Sequence, residues 1–121
     1  MKRDEMPSIV EEILVFHQCW LVGSGAKWFM KNTDPPTPRD WDLIAPQSEF
    51  AGATKRLANA APDSVEINSM GGLKFHTKKC TIDIWTDTIS SYTEIASKTK
   101  HGKDKIRAVR LNPRIELKDL S

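Results

Sequence analysis

Three prolines in the four residues Pro35-Pro36-Thr37-Pro38 bar regular structure from residues 32–39, because proline has no amide donor and fixes its own backbone angle. The chain must therefore be assembled from short elements on either side of this break. Ahead of it, Ile9, Val10, Ile13, Leu14 and Phe16 recur at near-helical spacing behind Pro7 and Ser8. That spacing predicts an amphipathic helix over residues 7–17. Cys19-Trp20-Leu21-Val22 is a short apolar run that predicts a buried strand, stopped by Gly23-Ser24-Gly25, and Ala26-Lys27-Trp28-Phe29-Met30 returns to a helical pattern.

Behind the break, residues 41–45 predict a second strand closed by Pro46, and residues 47–60 a helix bounded by Pro62. From Val65 onward the texture is that of strands. Val65-Glu66-Ile67 and Leu73-Lys74-Phe75-His76 flank the turn signal Met70-Gly71-Gly72, and Cys80-Thr81-Ile82-Asp83-Ile84-Trp85 follows a turn at Lys78-Lys79. A further helix is expected at 88–98, and a last hairpin at 106–111 and 114–117, around Asn112-Pro113. This order predicts an α+β fold, a mixed β-sheet with helices packed on it. At 121 residues the chain fits a single domain, 1–121.

The apolar share of 39% and the charged share of 28% suit a modest core and exclude a disordered polymer. No apolar stretch approaches the roughly 20 residues that a membrane-spanning helix needs. The acids Asp4, Glu5, Glu11 and Glu12 near the start do not suit a secretory leader, so a cytoplasmic chain without a membrane association is expected. Cys19 and Cys80 lie far apart, and His17, His76 and His101 are scattered, so no zinc spacing is present. Both cysteines read as small buried hydrophobes.

Charge is distributed unevenly along the chain. Residues 96–121 carry 8 basic and 3 acidic side chains, whereas residues 1–95 carry 10 and 13. Two readings stay open for the basic segment: a surface for a polyanion such as nucleic acid, or a solvated basic edge strand of the kind that protects sheet margins.

Asp40 and Asp42 are separated by one residue at the start of the second strand, which puts both carboxylates on one face and Trp41 on the other. Neighbouring carboxylates repel, and a hard divalent cation with oxygen ligands relieves that repulsion. Asp83 repeats the pattern, with Ile82 and Ile84 directed to the core and the acid to the opposite face. A buried position for such an acid is costly unless its face opens on a site. Should the two strands pair, three carboxylates converge, a set suited to two metal ions in phosphoryl transfer. Gly23-Ser24, where a strand opens into a helix, frees amides that favour an anion; Lys27 adds charge one turn on. Alone, such a turn is better read as a simple strand-to-helix connection with Ser24 as cap. Lys74, Lys78 and Lys79 are weaker phosphate candidates, and Trp28 and Trp41 are better read as core than as base-stacking platforms.

Taken together, Leu21-Val22-Gly23-Ser24, then fifteen residues, then Asp40-Trp41-Asp42-Leu43 and later Ile82-Asp83-Ile84 resemble the nucleotidyltransferase pattern of the DNA polymerase β-like superfamily. The chain is most similar to its minimal, single-domain members. The resemblance covers residues 19–86 and implies a palm-like nucleotidyltransferase fold. It implies Gly23, Ser24 and Lys27 as nucleotide-binding residues, and Asp40, Asp42 and Asp83 as catalytic residues and ligands of Mg²⁺ or Mn²⁺. Asp83 becomes the expected base or orienter of the attacking hydroxyl. The implied reaction transfers a nucleoside monophosphate from an NTP such as ATP to a hydroxyl acceptor. Implied partners are the nucleoside triphosphate and either a helical partner protein or an RNA acceptor. The alternative implied by the same resemblance is a catalytically inactive nucleotide- or nucleic-acid-binding module, or an antitoxin-type partner protein of the same fold. Two departures stand out: the proline-rich gap is long, and Lys27 stands where relatives often carry arginine.

Overall fold

A computed structural model of the chain describes residues 6–30, 36–68, 71–86, 106–110 and 116–120. The elements run α1 (Ser8–Phe16), β1 (Trp20–Val22), α2 (Gly23–Met30), β2 (Asp40–Ala45), α3 (Gln47–Asn59), β3 (Ser64–Ile67), β4 (Leu73–His76), β5 (Thr81–Thr86), β6 (Ile106–Arg110) and β7 (Glu116–Leu120). The fold is α+β, with a mixed sheet in the order β3-β4-β5-β2-β1-β6-β7. Within it β2 and β5 run parallel, and the other adjacent described strands are antiparallel.

The helices form where the apolar spacing places them. In α1, Val10, Ile13 and Leu14 are fully buried, the i, i+3, i+4 stripe of a helix lying on a core. Pro7 precedes it with extended angles, a position where a missing amide costs nothing. In α3, Ala53 and Leu57 face inward, and Pro46 precedes the first turn in the same way. The second helix starts earlier than its apolar pattern suggests, at Gly23 itself, because Gly23 takes φ +67° and turns the chain from β1 straight into α2.

The sheet is two-sided. Trp41, Leu43, Ala45, Ile82, Ile84 and Phe75 share one face of the sheet and join Val10, Ile13, Leu14, Ala26, Trp28 and Leu57 in one core, while Ile44 and Trp85 are buried on the other face. There the rings of Trp28 and Trp41 meet edge to face with centroids 5.4 Å apart. Both tryptophans are thus core residues. Cys19 and Cys80 are buried, each lying one residue ahead of its strand. The last hairpin forms with its second strand at Glu116–Leu120, later than the alternation indicated, and β7 is one margin of the sheet. The helix expected at 88–98 lies outside the described residues, as do residues 32–35 of the proline-rich loop.

Candidate functional site

The parallel pair β2/β5 decides where the acids stand. Its register sets Asp42 opposite Asp83 and Asp40 opposite Thr81. Partners across a ladder project to the same face, and so do residues two apart on a strand, so all three carboxylates share the face opposite the main core. The row through Asp42 continues on both sides: Val22 on β1, then Asp42, Asp83, Lys74 on β4 and Glu66 on β3. The row beside it holds Asp40, Thr81, His76 and Ser64. His76 Nε2 pairs with Glu66 Oε1 at 3.0 Å, so Glu66 is engaged away from the lysine. Lys74 is left as the cation facing Asp83 within the row.

One lysine does not balance these acids. Burial pushes the Asp42 carboxyl up from its ordinary value of 3.8 to about 7, the charges of Asp83 and Asp40 add to the rise, and Lys74 opposes it. Asp83 is also raised, first by burial, with Lys74 and a hydrogen bond from Asn68 pulling against the rise. Both groups are therefore held in surroundings that disfavour their anions, and added positive charge would relieve the strain.

Gly23 closes the site from the third strand. A Cβ there would sit 2.7 Å from Asp42 Oδ2, so the first residue of α2 packs directly against this carboxylate. Ser24 follows it in the first turn, half-buried, and Lys27 is half-buried one turn on. The glycine is favoured by its left-handed angle, with Asp42 as the nearest neighbour of any added side chain. The nearest obstruction is the free end of a side chain, so alanine at 23 is accommodated by moving the carboxylate. The expected result for Gly23→Ala is a stability loss of about 1–2 kcal/mol from the backbone angle alone, read by urea unfolding. The same loss should appear in an Asp42→Ala background. A loss that vanishes there would show that the carboxylate contact, and not the angle, carries the effect.

The donor set fits a divalent cation, since carboxylate oxygens are its usual ligands and burial with two neighbouring acids disfavours the Asp42 anion. Asp42 and Asp83 would hold it, with Asp40 as a further donor. In the conformation described, Asp40 is exposed at the first position of β2 and Asp83 is engaged by Asn68. Among the described residues no group of three or more His, Cys, Asp or Glu side chains is already gathered around a metal position. The three acids thus share a face and a charge problem without forming a closed ligand cage.

Two features were not singled out by sequence. Asn68, which precedes the β3–β4 turn, reaches Asp83 Oδ1 at 3.2 Å. The second is a cleft of about 510 Å³ in the helical layer, lined among others by Ser8, Glu12, His17, Lys55 and Arg56. It lies between α1 and α3 and contains none of the three acids. His17 bridges its wall, pairing with Glu49 at 3.1 Å and accepting from Arg56 Nε at 3.1 Å.

The fold and site define an α+β domain with a carboxylate face closed by a strand-to-helix glycine turn. Comparison with protein-family models, with curated proteins and with solved structures gives no significant match. Among the described residues no helix is long and apolar enough to cross a membrane.

Proposed function

We propose that this protein is a metal-dependent nucleotidyltransferase with a palm-like fold, transferring a nucleoside monophosphate from an NTP to a hydroxyl acceptor. The observation that carries the reading is the in-register pairing of Asp42 with Asp83 beside Gly23, which brings the separate pieces of the sequence pattern to one place. A glycine-serine turn at a helix N-terminus offers amides to the phosphates of the nucleotide, the helix dipole favouring their charge. Lys27 and Lys74 supply fixed positive charge on either side.

In this reading Asp40, Asp42 and Asp83 hold Mg²⁺ or Mn²⁺, which when bound neutralises the charge developing on the phosphoryl oxygens. Asp83 orients the attacking hydroxyl and takes its proton. A bond forms between that hydroxyl oxygen and the α-phosphorus, the bond to the bridging oxygen breaks, and pyrophosphate leaves. Incubation with labelled ATP and Mg²⁺ or Mn²⁺, with mass spectrometry of candidate RNA and protein acceptors, is expected to show a nucleotidyl mass gain. Asp40→Asn and Asp83→Asn should each lower incorporation by about a hundredfold or more while circular dichroism stays unchanged. Incorporation that persists in either variant rejects the assignment.

A second reading, a nucleotide-binding module without turnover, is favoured by the open arrangement of the acids and by the engagement of Asp83 with Asn68. Metal-dependent ATP binding without pyrophosphate release would single it out.

A further inference from the structure

We propose that Asn68 is a positioning residue for Asp83, built into the β3–β4 hairpin to fix which carboxylate oxygen faces the metal-binding side of the site. This inference rests on the nucleotidyltransferase reading above. Its ground is the full engagement of the Asn68 amide. Asn68 Oδ1 accepts from the Gly72 amide at 2.8 Å, and Nδ2 donates both to the Leu73 carbonyl and to Asp83 Oδ1, each at 3.2 Å. The opposite amide orientation would set an oxygen against two acceptors and an NH₂ group against a donor, so the hydrogen-bond pattern admits one orientation only.

The hairpin that holds this amide is itself pressed onto β5. The Asn68 backbone N–H donates to the Gly72 carbonyl at 3.0 Å and the Gly71 N–H to the Asn68 backbone carbonyl at 3.1 Å. Gly72 lies so close to the Ile84 carbonyl that it has no room for a side chain. The donor aimed at Asp83 is thus anchored to the backbone on two sides and to the neighbouring strand on a third. Its effect on Asp83 is to occupy Oδ1 and leave Oδ2 as the oxygen available to a cation. Groups that orient a ligating carboxylate in this way commonly change metal affinity by about 10–100-fold.

The positioning role is separated from a structural one by metal affinity measured without turnover. Mn²⁺ binding is followed by electron paramagnetic resonance of the free ion in wild type, Asn68→Ala, Asp83→Ala and the double variant. Asn68→Ala is expected to weaken Mn²⁺ binding about tenfold in the wild-type background and to leave it unchanged where Asp83 is alanine. Should Asn68→Ala fail to fold, Asn68→Ser serves in its place, since serine suits such turns yet is too short to reach Asp83. Binding within twofold of wild type in the folded variant overturns the Asn68 proposal and leaves the functional reading standing, as does an equal loss in both backgrounds. A wild-type protein that binds no Mn²⁺ instead removes the functional reading, and this proposal with it.

Discussion

Replacing Asp42 with asparagine is expected to make the metal-free protein more stable at pH 8 while abolishing the proposed nucleotidyl transfer. The two effects have one origin. Asp42 sits where burial and the charges of Asp83 and Asp40 raise its carboxyl to about 7. A carboxyl whose pKa is higher folded than unfolded binds its proton more tightly in the native state. Between its unfolded value near 3.8 and about 7 the native state therefore carries more bound proton, and stability falls as pH rises through that window. Below it the stabilising effect of the retained proton is complete; above it, the native state holds an anion it disfavours. A shift of this size corresponds to roughly 4 kcal/mol.

Asp42→Asn removes that penalty, since the amide stays neutral. Thermal melts of wild type and variant should therefore converge near pH 4 and separate towards pH 8, the variant melting higher by several degrees. Saturating Mg²⁺ should raise the wild-type melting temperature at pH 8 and leave that of the variant nearly unmoved. Transfer to any acceptor should fall at least about a hundredfold. If the variant melts lower than wild type at pH 8 without metal, Asp42 is a well-satisfied carboxylate and the charge deficit does not exist. The combination of a more stable protein with a lost activity is the signature of a group kept at an energetic loss for its chemistry.

How much of this was legible in the sequence follows from what alternation can and cannot say. The faces of Asp42 and Asp83 were readable, because apolar neighbours at 41, 43, 82 and 84 fix the core side of each strand. Strand pairing was not. Nothing in residues 40–45 or 81–86 states that these segments run parallel and in a register that sets Asp42 beside Asp83, since that depends on how α3, β3 and β4 pack between them in sequence. Lys74 illustrates the same limit: a strand lysine reads as solvated until the ladder places it against Asp83 and commits Glu66 to His76. Asn68 was missed because an asparagine ahead of Gly71-Gly72 looks like ordinary turn chemistry. The turn was the correct inference, but the spare donor on the amide became meaningful only once β5 lay beneath it.

Gly72→Ala is expected to be the most destabilising single methyl addition in the described structure. Two neighbouring glycines form the β3–β4 turn, and they are required for different reasons. Gly71 is exposed and takes φ +79°, so alanine there meets a conformational penalty of about 1–2 kcal/mol. Gly72 is buried and needs its hydrogen for space. A Cβ would stand 2.0 Å from the Ile84 carbonyl oxygen and 2.8 Å from Trp85 Cβ, and the first of these is backbone of β5 that cannot rotate away. The hairpin must lift from β5 or β5 must bend, at a loss on the order of 3 kcal/mol or more. Because β5 carries Asp83 and the hairpin carries Asn68, the lift separates these two side chains as well. Urea unfolding should show Gly72→Ala losing well over twice the stability lost by Gly71→Ala. In folded Gly72→Ala, Mn²⁺ affinity should fall, as is expected for Asn68→Ala. Equal losses at the two glycines would mean that the turn angle alone matters and that the hairpin does not rest on β5 as tightly as the geometry requires.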